Sequence, residues 1–368
     1  MRFSNRVFLF WRDNVPLLWH ADTHEQYELD KTAMNALRDA SFPEIDSSPI
    51  TSEIIAYMRA EGVLTDSDEL ETAWPWDILS ELFHHGTRNI PIAESGISDR
   101  EWVEEYLAYC EEIGDPPPPP PRPHGQEVHL PKTDCAVLNE VSILDAYKAR
   151  KTTRHFDGTS MSLQQLSEVL LTALGNFHDS WDDEFKDAGL ETTAVHRVPP
   201  TGGGLHPSRG HVVAFNVDGL DPGIYDYVAD SHSLIRIGDA PSFSELTTML
   251  SGQYYCRGIA AGVFVSSWIG LAAWKYGHSR AYRNVLLDVG HVSQTFLLTA
   301  SSLGLETWLT GAFIDSHIEQ ALGLDTQTQP VFFFLGVGHG SGGAFDDLMK
   351  ETVRDRVRST ETSMLKRL

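Results

Sequence analysis

Residues 274 to 304 read W-K-Y-G-H-S-R-A-Y-R-N-V-L-L-D-V-G-H-V-S-Q-T-F-L-L-T-A-S-S-L-G, and the fold turns on this stretch. Its second half is predicted to be one long helix. Val285, Val289, Val292, Phe296 and Leu303 recur near the i, i+4, i+7 spacing of a buried stripe. Leu286, Leu287, Leu297, Leu298 and Ala300 widen that stripe, so little of the helix is expected to face water. Gly290 stands mid-helix, where glycine costs roughly 1 kcal/mol against alanine; close approach of another group to the backbone would explain it. Gly304 supplies a C-terminal stop. Lys275-Tyr276-Gly277 lead into the helix, and two readings of them stand open. They are an acid/base pair, or a snorkelling lysine beside an amphipathic tyrosine at an element's edge.

Working outward, Pro199-Pro200-Thr201-Gly202-Gly203-Gly204-Leu205-His206-Pro207 precedes this stretch. Three glycines let a backbone approach a flat ligand and offer its N–H groups. The alternative is a plain flexible loop, but prolines on both flanks argue for a fixed shape. Residues 176 to 198 are polar and irregular, as in a lid or binding loop. Further upstream, Arg150-Lys151-Thr152-Thr153-Arg154 is either a phosphate clamp or a basic solvated loop. Ser162 caps a predicted amphipathic helix that ends at Gly175. Strands are expected at 211–217, 223–228, 234–237, 262–267, 306–310 and 331–337, with helices at 242–250 and 316–322.

At 368 residues and a formal charge of −24, the chain has room for two domains and repels nucleic acid and anionic membrane. Cys110, Cys135 and Cys256 are far apart and form no disulfide framework, which suits a reducing, cytoplasmic setting. No apolar run approaches the roughly 20 residues that span a bilayer, and no histidine falls in metal-ligand spacing. Residues 1–115 read as an N-terminal accessory module, winged-helix-like, with Val7–Phe10 and Pro16–Trp19 as strands. In it Asp30 caps one helix and Thr51-Ser52 another. Six prolines, Pro116 to Pro121, then form a stiff polyproline II linker within 116–137. The main domain covers 138–345, and 346–368 forms a peripheral helix.

Three segments together carry a resemblance that none carries alone. They are Arg150-x-Thr152-x-Arg154-x-Phe156, the Pro200 to Pro207 loop, and Lys275-Tyr276 with Gly290-His291-x-x-Gln294. In this order and spacing, with D-P-G-I-Y-D-Y at 221–227 and T-G-A-F-I-D at 310–315, residues 138–345 resemble the nitroreductase-like flavoproteins. More closely, they resemble the SagB-type branch, the peptide dehydrogenases of thiazole and oxazole biosynthesis.

The resemblance implies an α+β fold, an antiparallel-rich sheet flanked by helices, and a homodimer with FMN at the subunit interface. Arg150, Thr152 and Arg154 match the positions that hold the flavin phosphate and ribityl chain. Pro200, Thr201, Gly202 and Gly204 match the loop that reaches the isoalloxazine from the partner subunit, and Thr310 and Gly311 match the backbone beside the ring. Lys275 and Tyr276 match the pair regarded as catalytic. The sequence departs from the pattern at His339, where the family usually has arginine or lysine, and at Thr201 and His206, where serine and tyrosine are common.

The implied function is FMN-dependent oxidation of azoline rings in a precursor peptide, with a cyclodehydratase as a further partner. Tyr276 would act as base with Lys275 lowering its pKa, or the two roles would be exchanged. Two alternatives remain: an NAD(P)H-dependent reductase of a nitro group, quinone or dehydroamino acid, and a non-catalytic flavin-binding scaffold.

Overall fold

Alternation along the central strands decides which helices cover which side of the sheet. In the strand Ser208–Ala214, Val212 and Ala214 point to one face and Val213 to the other. In Ala261–Ser267, Val263 and Val265 oppose Phe264, and in Val331–Gly338, Leu335 and Val337 oppose Phe334. Both faces are apolar, so both must be covered. On one side lie the helix Leu163–Leu174, through Leu166, Val169, Leu170 and Ala173, and the long helix Ala281–Ser302, through Val289, Val292, Phe296 and Ala300. On the other lie the helices Phe243–Met249 and Asp315–Leu322, through Leu246, Ile318 and Leu322.

The computed structural model describes residues 2–4, 6–41, 49–65, 74–89, 96–178 and 196–365. Of the expected lid at 176–198, residues 179–195 therefore lie outside the described residues. The main sheet has seven strands, in the order 306–310, 331–338, 261–267, 208–214, 223–228, 233–238, 127–129. Every neighbouring pair is antiparallel. The antiparallel-rich sheet flanked by helices is the nitroreductase-like fold expected. Local signals act where the sequence puts them. Ser162 caps its helix in a reciprocal box with Gln165, and Gly304, at φ 74°, follows the end of the long helix.

The chain divides into two compact units, 1–96 with 278–280, and 97–277 with 281–368. In the first, strands Val7–Arg12 and Val15–His20 are joined by Asp13-Asn14, both at positive φ, as a two-residue hairpin requires. Gln26–Glu28 adds a third strand. Asp30 accepts from Ala33 N at 2.7 Å, whereas the next helix starts at Pro49 and runs through Thr51 and Ser52, which therefore do not cap it.

The division falls before the helix Asp99–Glu112, not at the proline run. Tyr109 donates from its hydroxyl to the carbonyl of Lys275 at 2.7 Å, and Trp274 donates to that of Ile113 at 3.2 Å. The prolines themselves wall a cavity in the second unit.

The long helix differs from expectation in one respect. Leu286 and Leu287 are 40% and 60% exposed, and Gly290, His291 and Gln294 share that open side. A Cβ on Gly290 would meet nothing within 4 Å, so no group of this chain accounts for that glycine.

Candidate functional site

The helix Ile269–Lys275 ends at Tyr276, whose backbone turns extended at φ −127°, and the long helix begins five residues later at Ala281. This break projects Lys275 and Tyr276 toward the glycine loop. Gly203 and Gly204 sit at φ 64° and 70°, a left-handed conformation that other residues adopt at a cost. Lys275 Nζ donates to the Gly203 carbonyl at 3.2 Å. A Cβ on Gly203 would stand 2.5 Å from Tyr276 Oη and 3.1 Å from Lys275 Cδ and Cε, so only glycine permits this approach.

The long helix pins the same loop. Thr201 donates from its hydroxyl to Asp288 Oδ2 at 2.6 Å, and His291 Nδ1 lies 3.0 Å from the Pro200 carbonyl. Asp288 and His291 are three apart, hence on one face. Pro200, Thr201, Gly202, Gly203, Lys275 and Tyr276 thus form one cluster within one chain.

Electrostatics correct one expectation. Tyr276 is pushed above the ordinary phenol value, by burial first and then by the negative charge of Asp288. Lys275 does not turn it into a ready base. Asp288 is itself buried, and burial raises its carboxyl, opposed by hydrogen bonds from Thr201 and Gly202. Sequence reasoning missed Asp288; the available signal was a lone carboxylate in the apolar run V-L-L-D-V-G.

The basic stretch lies elsewhere in the same unit. Arg150 ends the helix Ile143–Ala149, and its half-buried guanidinium has no hydrogen-bond or ion-pair partner among the described residues. Thr152 bridges Thr307, Thr153 donates from its backbone to the Thr307 carbonyl at 2.9 Å and from its hydroxyl to Glu306, and Asp157 N donates to the His339 carbonyl at 3.0 Å. Residues 150–157 therefore run between the strand Glu306–Thr310 and the chain leaving the last strand. Arg154 is committed within the chain. Its Nη1 donates to the Ala344 carbonyl at 2.9 Å, and its guanidinium lies 5.4 Å from the centre of the Tyr255 ring.

Thr310 and Gly311 lie at the far end of that strand, roughly 10 Å from Thr307 at the usual strand rise. Thr310 accepts from Ala312 N at 3.0 Å, and the Phe333 ring closes on Gly311. The expected site residues thus fall into two groups, one along 150–157, 306–311 and 339, the other at 200–204 and 275–276.

The Nitroreductase family profile matches residues 147–339, just over half of the chain. A Methanocaldococcus jannaschii protein that carries the name nitroreductase, MJ1384, is 28% identical over 196 residues, 53% of this chain and 89% of that protein. The trifolitoxin-processing protein TfxB of Rhizobium leguminosarum bv. trifolii is 28% identical over 167 residues; the match spans 44% of each chain, less than half of that relative. A solved structure from Anabaena variabilis, named for a nitroreductase, superposes with a TM-score of 0.50 at 21% identity, over 74% of this chain and 50% of that one. No described helix is long and apolar enough to cross a membrane. With the antiparallel sheet, the helices on both of its faces and a profile match over more than half its length, the chain belongs to the nitroreductase family.

Proposed function

We propose that this chain is a SagB-type, FMN-dependent dehydrogenase that oxidises azoline rings to thiazole or oxazole in a ribosomally made precursor peptide. The observation that carries the reading is the Lys275–Tyr276 pair, held against Gly203 by a loop that Asp288 and His291 pin. The likeness to a trifolitoxin-processing protein supports a peptide substrate.

The residues present fit the cofactor. Arg150 offers an unpaired guanidinium to a phosphate, and Thr307 Oγ1 is buried beside Thr152 without a partner among the described residues. Thr152, Thr310 and Gly311 would line the remainder, while Arg154, already bonded, would shape the phosphate end, with His339 beside it. When bound, FMN supplies a two-electron acceptor.

Aromatisation of an azoline removes two hydrogens, one as hydride and one as proton, and the proton is the protein's task. Tyr276 keeps its phenolic proton at neutral pH and can donate a hydrogen bond that orients the ring, which leaves Lys275 as the side chain of the pair placed to receive the proton. Thr201 and Asp288 hold the loop against which the Lys275 side chain rests.

Assembly follows from the open side of the long helix. A second copy packed over Leu286, Leu287 and Gly290 would bury that face, and the resemblance implies that each subunit's glycine loop would then reach the flavin held by its partner. Leu287→Arg should then yield a monomer in sedimentation that no longer retains FMN. In the N-terminal module, the edge strand Val7–Arg12 exposes Leu9 and Trp11 and could pair with a peptide leader or a cyclodehydratase partner.

The deciding experiment is anaerobic single-turnover bleaching of the flavin by a defined azoline peptide, compared with NAD(P)H. The peptide should bleach it. Lys275→Ala should slow this by about 10²–10⁴-fold, and Tyr276→Phe by less. Bleaching by NAD(P)H alone would sink the dehydrogenase reading and favour a reductase, the activity for which the M. jannaschii relative is named.

A further inference from the structure

A second cavity lies behind the glycine loop. It encloses about 250 Å³ and is lined by Arg197, Arg209, Asp226, Asp230, Trp268 and the prolines at 116, 117 and 119. It shares two elements with the Lys275–Tyr276 cluster. Leu205 to Pro207 continue the loop whose Gly203 touches the pair, and Leu271 of the lining lies on the helix that ends in Lys275, one turn or about 6 Å away.

The charges in this cavity do not balance. Asp230 is taken by Arg122 at 2.7 Å, and Asp226 lies 3.0 Å from His211 Nδ1. Arg197 donates from Nη1 to the Ser208 carbonyl at 3.1 Å, but its buried Nε has no partner among the described residues, nor has the buried Ser208 hydroxyl. Arg209 lies 5.8 Å from the centre of the Trp268 ring; the negative charges of Asp226 and Asp230 act on it, but neither forms an ion pair with it. Burial pushes both guanidinium groups down, Arg197 to about 10, so both remain charged at neutral pH. Within a chain of formal charge −24, this cavity thus holds three arginines, Arg122, Arg197 and Arg209, against two aspartates, and neither Arg197 nor Arg209 closes an ion pair with a described carboxylate. An excess of buried positive charge, and a buried guanidinium N–H without a partner, are costly unless a ligand supplies the counter-charge.

We propose that this cavity is an anchoring subsite for a carboxylate of the peptide substrate, gripped by Arg197 and Arg209 and flanked by Trp268. The inference rests on the peptide-substrate reading and deepens it. At about 3.3–3.6 Å per extended residue, an acidic side chain in the cavity would sit only a few positions from a ring at Lys275. The prolines form a rigid wall that needs no ordering when the peptide arrives.

The test uses the full-length, flavin-loaded protein and equilibrium calorimetry, so it needs no turnover. The probes are N-acetylated, C-amidated Gly-Gly-Glu-Gly-Gly, its Gln counterpart, and inorganic phosphate. The Glu peptide should bind on the order of tenfold tighter than the Gln peptide. Arg209→Gln should erase that difference, and Arg209→Lys should restore part of it. Phosphate should compete poorly. Equal binding of the two peptides to the wild-type protein would overturn the proposal without any variant, and phosphate binding as tightly as the Glu peptide would replace it with a site for small anions. If the Glu preference holds while azoline peptide fails to bleach the flavin, the subsite stands and the dehydrogenase reading falls.

Discussion

Adding one methyl group at Gly203 tests the geometry on which the candidate site rests. In Gly203→Ala the new Cβ would lie 2.5 Å from Tyr276 Oη and 3.1 Å from two methylenes of Lys275. The lysine stem is flexible and can give way, whereas the tyrosine ring is half-buried and cannot move freely. Two costs add. An L-residue at φ 64° costs about 1–2 kcal/mol, and forcing atoms into a packed site costs about 1–3 kcal/mol more. In a Tyr276→Phe background the closest obstacle is gone, so the steric cost should largely vanish while the backbone cost remains. A double-mutant cycle in urea, followed by tyrosine and flavin signals, should therefore show a coupling of about 1–3 kcal/mol. Gly203→Ala alone should also slow flavin bleaching, because the displaced phenol no longer meets the ring. If the alanine costs the same with Tyr or Phe at 276, the close approach is not what holds this loop.

The two arginines of the basic stretch should separate in their effects. Arg150→Ala should weaken FMN binding on the order of 10–100-fold with little change in melting temperature; Arg154→Ala should instead cost about 1–2 kcal/mol of stability through its lost carbonyl bond and ring contact. Equal flavin loss in both, with equal stability, would contradict the commitments seen for Arg154. Thr201→Val removes a hydrogen bond to the Asp288 carboxylate and should destabilise by about 1.5–3 kcal/mol at neutral pH. Because the Asp288 pKa is raised in the folded state, its favourable contribution is present at acid pH and lost as pH rises through the folded value. The variant raises that value further, so its penalty should shrink on acidification, and a penalty independent of pH in urea titrations would refute the role of the carboxylate.

Much of the fold can be read directly from the chain, because its signals are local or periodic. Ser162 and Gln165 are three residues apart, and their capping box depends on nothing more distant. The alternation of Val212, Val213 and Ala214 demands a sheet covered on both faces whatever covers it. The spacing of Val285, Val289, Val292 and Phe296 makes a helix with a buried stripe.

Hydrophobicity states that a side chain prefers to leave water, not what will cover it. Leu286 and Leu287 therefore read as core although the chain alone leaves them open. The loop 200–204 and the pair 275–276 could be proposed as a site from sequence, yet their contact through Gly203 spans some seventy residues and exists only after folding. Asp288 acquires its role from Thr201, and Tyr276 its raised pKa from burial and Asp288, neither of which has a one-dimensional signature. The prolines read as a spacer because composition fixes their stiffness but not their neighbours; packing makes them one wall of the arginine cavity. Sequence alone determined the elements, their order and the residue types brought to the chemistry. Tertiary structure decided which charges meet a partner and which stay unmet, because burial and proximity depend on contacts that chain separation does not encode.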